Sequence, residues 1–136
     1  MNQTRIVLAS TSVYRRMLLA RLGLEFEVIR PEVSEDPLPD EDPCDLVLRL
    51  AEAKARSVGR DHPEAMIIGS DQVAVLDRRI IGKPGTIDRA LAQLRRASGR
   101  TVLFHTGVCC LRGPDECQVD VVTVEVSFRP LDEGRI

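Results

Sequence analysis

Residues 66–76 read MIIGSDQVAVL, an apolar run typical of a central β-strand, interrupted by a polar triplet at positions 70–72. A carboxylate inside such a strand is rarely tolerated for structure alone, because a buried charge costs free energy unless it is paired. Asp71 is therefore the leading candidate for a catalytic base or a metal ligand. The alternative is a strand-end turn in which Asp71 bonds to the local backbone, and Gly69 keeps that alternative open.

The sequence on either side of this strand predicts a single α/β unit. Strands are expected at residues 5–9, 26–29, 80–81, 101–112 and 117–128, with 77–79 as the turn of a hairpin. Helices are expected after Ser10-Thr11-Ser12, Asp42 and Thr86, the first ending at Gly23 and the third at Ala97. Because the elements do not alternate strictly, the predicted fold is a mixed sheet flanked by helices.

Composition limits the classes of function. The chain is 43% hydrophobic and 29% charged, as in an ordinary globular protein. A net charge of -2 argues against a duplex-binding surface, and the first apolar run is too short for a signal peptide or a membrane span. We therefore expect neither a nucleic acid nor a membrane partner. The cysteines lack zinc-site spacing and predict reduced, largely buried thiols in the cytoplasm; they are Cys44, Cys109, Cys110 and Cys117.

Several basic side chains are candidates for binding an anionic ligand. Ser10 and the two hydroxyl residues after it precede a predicted helix that carries Arg15 and Arg16, and helix N-termini bind phosphate. Lys54 lies on the same stripe of the second helix as Val47, Leu50 and Val58, where an ammonium needs an anionic partner or must extend its stem to water. Ordinary capping and solvated charges remain the alternatives.

Two further charged residues lie in loops. Lys83 follows the predicted hairpin, and Glu35 belongs to a stretch, residues 30–43, with four prolines and six acidic residues. Neither is singled out by spacing. Together, however, the basic residues and the strand carboxylate supply what hydrolysis of a phosphoanhydride needs, namely cations for the phosphates and a base for water.

These residues occur in motifs that, as a set and in this order, resemble the Maf family of nucleotide pyrophosphatases. The motifs are Leu8-Ala9-Ser10-Thr11-Ser12, Arg15-Arg16, Glu52-Ala53-Lys54-Ala55, Ile68-Gly69-Ser70-Asp71-Gln72, Gly82-Lys83-Pro84, Ala97-Ser98-Gly99 and His105-Thr106-Gly107. The chain departs from the family at Val13, where proline is usual, and at Ser34, where an aspartate is usual.

The resemblance implies a Maf/ITPase-like α/β fold with a cleft between two lobes, and it assigns roles to residues. Asp71 would be the proton acceptor. The triphosphate would be held by Ser10, Arg15, Lys54 and Lys83. Arg16 and Glu35 would also belong to the substrate-binding residues. A divalent cation, Mg²⁺ in the first instance, would bind at Glu35 and Asp71.

Within the family, Gln72 and Tyr14 resemble the branch that cleaves 7-methyl-GTP, because the branch that cleaves dTTP and UTP usually has threonine after the aspartate. An aromatic face also attracts the positive charge of 7-methylguanine. The dTTP/UTP activity and a non-catalytic nucleotide-binding module remain alternatives, and a homodimer is left open. We expect residues 1–136 to form one Maf-like domain that stops before the natural domain does, leaving the second lobe incomplete, with residues 131–136 beginning a helix.

Overall fold

Six strands form one sheet in the computed structural model, which describes residues 4–82 and 85–132. The strands are β1 (Ile6–Ala9), β2 (Glu27–Ile29), β3 (Met66–Leu76), β4 (Arg79–Ile81), β5 (Thr101–Arg112) and β6 (Glu116–Ser127). The helices are α1 (Val13–Ala20), α2 (Pro43–Gly59) and α3 (Ile87–Ala97). The mixed α/β architecture predicted from the sequence is confirmed.

Strand β3 has two different neighbours along one of its edges. The sheet order is β2-β1-β3-β5-β6, with β4 also paired to β3. Parallel β1 pairs with residues 66–69, antiparallel β4 pairs with residues 74–76, and β5 occupies the opposite edge. Among the described strands, none covers residues 70–73 on the first edge. We call this stretch, which includes Asp71, the edge gap.

Helix α2 packs directly on β3 and β5 because two glycines allow the backbones to approach. Added Cβ atoms would lie 2.2 Å from the carbonyl oxygen of Ala51 at Gly69 and 2.4 Å from that of Val47 at Gly107. The main core lies at this contact; its fully buried members include Val7, Ala51, Ala55, Ile67 and Cys109. Each fully buried aliphatic side chain of Val or Ile size stabilises the fold by roughly 1.5–3 kcal/mol.

Helix α3 and the hairpin contribute to a smaller apolar cluster. Leu76, Ala97 and Val102 are buried there, with Phe104 and Phe128 packed against them. This cluster lies on the other face of the sheet, because successive side chains of a strand point to opposite faces and Leu76 is five residues from Asp71. The side chain of Asp71 and this smaller apolar cluster therefore lie on opposite faces of the sheet at β3.

Most predicted boundaries agree with the structure, and α1 is the main exception. Its predicted C-terminus at Gly23 was wrong, since the helix ends at Ala20 and Gly23 lies in a following turn with a φ of 74°. Met17 and Leu18 of α1 are exposed. The hairpin turn is made by Asp77 and Arg78, both with positive φ, which suits the twist of a two-residue hairpin loop.

The cysteines are free thiols, as predicted, but the prediction that they are largely buried was wrong: only Cys109 is buried, and Cys44, Cys110 and Cys117 are partly exposed. Desolvation by burial raises the pKa of Cys109 to about 12, so this thiol stays protonated at neutral pH. Among the described residues, no helix is both long and apolar enough to cross a membrane. The predicted helical turn at 131–136 falls mainly outside the described residues.

Candidate functional site

The ammonium of Lys54 lies between two carboxylates. Its Nζ atom is 3.0 Å from Oδ1 of Asp71 and 2.9 Å from Oε1 of Glu35. Lys54 is only 6% exposed, and it keeps its charge away from bulk water through these pairs and a 3.4 Å hydrogen bond to the carbonyl of Ser70. The anionic partners that the sequence required of Lys54 are thus Asp71 and Glu35, and the packing of α2 on β3 brings Lys54 to Asp71.

A second cation reaches the same part of β3. Nη1 of Arg15 donates to the carbonyl oxygen of Ser70 at 3.0 Å, within the edge gap. Arg15 is held there because Ser12 caps α1 and accepts a hydrogen bond from the Arg15 amide. Ser10 is buried and accepts from the amide of Ser12 at 2.9 Å, which shapes the turn between β1 and α1. The positive end of α1 therefore faces the edge gap.

These side chains line one cleft with a volume of about 840 Å³. Its walls come from the turn after β1, the acidic loop before α2, helix α2 and the edge gap. Seven residues predicted from the sequence line it: Ser10, Tyr14, Arg15, Glu35, Lys54, Asp71 and Gln72. The volume is within the range that accommodates a nucleotide-sized ligand.

The remaining predicted residues differ in placement. Arg16 is exposed on α1 and is not among the residues that line the cleft. Lys83 lies outside the described residues, although Gly82 before it lines the cleft. Tyr14 lines the cleft but is 69% exposed, so the fold does not explain it as a core residue.

The family model for Maf-like proteins matches residues 5–136 of this chain. The chain belongs to the Maf family. It is 55% identical over 132 residues to a 7-methyl-GTP pyrophosphatase of Nitrosococcus oceani, covering 96% of this chain and 66% of that relative. It is 49% identical over 137 residues to a 7-methyl-GTP pyrophosphatase of Aromatoleum aromaticum, covering 100% of this chain and 71% of that relative.

The fold of this Maf chain is also found in a solved HAM1 protein from Coxiella burnetii. The two structures superpose with a TM-score of 0.61 at 17% sequence identity, covering 90% of this chain and 72% of the other. At that identity the likeness concerns the fold alone. The predicted ITPase-like architecture of this Maf chain is therefore confirmed.

Sequence reasoning missed the residues that hold the acidic loop of this Maf chain against α2. Arg49 donates to both carboxylate oxygens of Glu41, at 2.7 and 2.9 Å, and to the carbonyl of Asp36 at 3.1 Å. Glu41 also accepts from the amide of Leu38 at 3.0 Å. The loop that carries Glu35 is thus fixed to the helix that carries Lys54. The sequence did not single out Glu41, because the loop contains five other acidic residues with no distinguishing spacing.

The salt bridge between Glu41 and Arg49 predicts that the thermal stability of the fold decreases at low pH. The hydrogen bond from Arg49 lowers the pKa of Glu41 to about 2. A carboxyl whose pKa is lower in the folded state stabilises the fold fully above its unfolded pKa, near 4.3, and loses that contribution as pH falls toward 2. Thermal unfolding from pH 7 to 2 should show a shallower acid dependence in Glu41→Gln than in the wild type.

Glu25→Gln, which removes an exposed carboxylate outside the loop, is the matched control for that experiment. It should follow the wild-type curve. Identical acid dependence of Glu41→Gln and the wild type would contradict the proposed role of Glu41 in the loop.

The carboxylates of the cleft fit a divalent cation only together with a substrate. Among residues 4–82 and 85–132, no group of three or more His, Cys, Asp or Glu side chains could hold a metal. Asp71 and Glu35, however, both approach the same nitrogen of Lys54. Mg²⁺ is commonly bound by one or two carboxylates and completed by substrate phosphates and water, so this pair suits it.

Proposed function

We propose that this chain is a nucleoside triphosphate pyrophosphatase that hydrolyses 7-methyl-GTP to 7-methyl-GMP and pyrophosphate. The observation that carries the proposal is the contact of Asp71 with a buried lysine at the edge gap, in a cleft that Arg15 also enters. The Maf family and the names of the relatives support the choice of reaction and substrate. The chain covers 66% of the length of the Nitrosococcus oceani relative. The activity of a protein of that full length is therefore also a proposal.

The proposed chemistry begins with the removal of a proton from water. The carboxylate of Asp71 accepts this proton as the water oxygen attacks the α-phosphorus, and the bond from that phosphorus to the bridging oxygen breaks. A general base of this kind contributes about 10²–10⁴ to the rate. Pyrophosphate leaves with the bridging oxygen, which takes up the negative charge.

The basic residues stabilise the charge that develops on the phosphates. Lys54 and Arg15 approach the cleft from different elements, so they can contact different oxygens of one triphosphate. The N-terminus of α1, next to Ser10, adds the positive end of the helix dipole. Preorganised donors of this kind each contribute about 10²–10³ to the rate. Arg16 and Lys83 are proposed to assist through the outer phosphates.

Glu35 and Asp71 would hold a divalent cation, proposed to be Mg²⁺, next to the phosphates. When bound, the cation neutralises negative charge on the phosphate oxygens. Lys54 then has a second task, since it keeps the two carboxylates close together before a nucleotide binds. We place the reaction in the cytoplasm, in keeping with the free thiols.

A hydrolysis assay tests this function. The chain, and a form extended to the length of its relatives, should release pyrophosphate from 7-methyl-GTP with Mg²⁺ faster than from GTP, dTTP or UTP. Asp71→Asn should reduce kcat by about 10²–10⁴. Full activity in Asp71→Asn would exclude Asp71 as the base. If the wild type cleaved dTTP or UTP faster than 7-methyl-GTP, the chain would instead have the activity of the dTTP/UTP branch. Nucleotide binding without product from either form would indicate a binding module.

A further inference from the structure

A second concentration of positive charge lies outside the cleft, at the β3–β4 hairpin and α3. Residues 77–100 contain six arginines, one lysine and only two aspartates, although the whole chain has a net charge of -2. Three of these arginines line one pocket of about 540 Å³; they are Arg79 of β4, Arg96 of α3 and Arg100, which precedes β5. We call this space the arginine pocket. The fold thus places guanidinium groups from three elements around one space.

Two contacts join the elements that line the arginine pocket. Nε2 of Gln93 donates to the carbonyl oxygen of Gly82 at 2.6 Å, which connects α3 with the segment after β4. Arg100 forms a salt bridge with Asp77 of the hairpin turn. All four of these residues line the pocket, so its shape follows from the fold of the hairpin against α3.

The charges of the arginine pocket favour an anion. Arg79 and Arg96 are exposed, and neither side chain has an acidic partner within the part of the chain that the structure describes. The only acidic residue that lines the pocket is Asp77, so positive charge is in excess. Arg96 also suits the last turn of α3, where a cation stabilises the helix dipole, but that role does not explain Arg79 on a strand. Guanidinium groups bind phosphate oxygens in a bidentate geometry.

We propose that the arginine pocket is a second anion site, separate from the catalytic cleft, and that it binds pyrophosphate. This inference rests on the proposed function for its ligand, because that reaction releases pyrophosphate in the cleft. Ile80, Ile81 and Gly82 line both spaces, so the product can pass from the cleft to the pocket along β4. Pyrophosphate carries several negative charges on one small ion, which matches several guanidinium groups around one pocket.

Matched arginine variants test whether the pocket itself binds the anion. Arg96→Gln removes a guanidinium from the pocket, whereas Arg89→Gln removes one from an exposed position on the same helix outside it. In calorimetry with pyrophosphate, the wild type should bind two ions per chain, one in each space. Arg96→Gln should raise the Kd of the pocket about tenfold, and the double variant with Arg79→Gln about a hundredfold. Arg89→Gln should stay within about twofold of the wild type.

Lys54→Met separates the two sites, because it removes the ammonium of the cleft and leaves the arginine pocket intact. This variant should keep the wild-type Kd for pyrophosphate at the pocket. NMR signals of the arginine Nε–H groups then locate the bound ion, which should shift the signals of Arg79 and Arg96 but not that of Arg89. Conversely, Arg96→Gln should keep the affinity of the cleft for inorganic tripolyphosphate, which has the phosphates of the substrate and no base.

The outcomes separate this inference from the proposed function. A single pyrophosphate per wild-type chain, or equal losses of affinity in Arg96→Gln and Arg89→Gln, would overturn the site even if 7-methyl-GTP is hydrolysed. A single-stranded oligoribonucleotide that binds these arginines more tightly than pyrophosphate does would overturn the choice of ligand in favour of an RNA backbone. A wild type that binds two pyrophosphate ions as described but hydrolyses no nucleoside triphosphate would support the anion site and overturn the proposed function.

Discussion

Replacing Gly69 with alanine should lower the free energy of unfolding by about 3 kcal/mol and reduce turnover about a hundredfold. The new Cβ would lie 2.2 Å from the carbonyl oxygen of Ala51 and 2.9 Å from the amide nitrogen of Ala55. Both obstacles are backbone atoms of α2, so no side-chain rotation relieves the clash and the helix must move off the sheet. That movement takes Lys54 away from Asp71, which explains why one methyl group affects both stability and catalysis.

Thermal unfolding and steady-state kinetics measure the two effects. Gly82→Ala is the control for unfolding, because a Cβ at Gly82 meets no atom within 4 Å. The unfolding midpoint of Gly69→Ala should fall by roughly 10 °C, and that of Gly82→Ala should stay close to the wild type. If Gly69→Ala kept wild-type stability and turnover, the close contact between the backbones of α2 and β3 at Gly69 would be contradicted.

The sequence was sufficient to select Asp71 and Lys54, because each breaks a pattern. An aspartate in an apolar strand and a lysine on a buried helical stripe both require compensation, and the structure shows that they compensate each other at 3.0 Å. The strand limits of β5 and the caps of α2 and α3 were also predictable, since they depend on local turn and capping residues.

The edge gap was not predictable from local patterns. It exists because β1 ends its pairing at Gly69 while β4 begins its pairing at Ala74, and strand register is set by contacts between distant segments. The salt bridge between Arg49 and Glu41 was not predictable either, because it depends on how the acidic loop folds against α2. The close approach at Gly107 had a signal in the His105-Thr106-Gly107 motif, but a sequence does not reveal which backbone a glycine meets.

Replacing Lys54 with methionine should reduce kcat/KM about a thousandfold and weaken tripolyphosphate binding about tenfold. Methionine preserves most of the side-chain length and removes only the ammonium that contacts Asp71 and Glu35. Stability should change by less than about 2 kcal/mol, because Asp71 borders the cleft and water can solvate its carboxylate once the lysine is gone. Kinetics, calorimetry and urea unfolding measure the three quantities.

Arg60→Met removes a positive charge from the exposed end of α2 and is the matched control, which should keep wild-type affinity for tripolyphosphate. Asp71→Asn should lose turnover but retain that affinity, since it removes negative charge beside the phosphates. Unfolding of Lys54→Met, Asp71→Asn and the double variant should show a coupling of about 0.5–3 kcal/mol. Strictly additive effects would contradict the contact itself, whatever the ligand, because the coupling of the two substitutions in the free protein reports the direct interaction of Lys54 with Asp71.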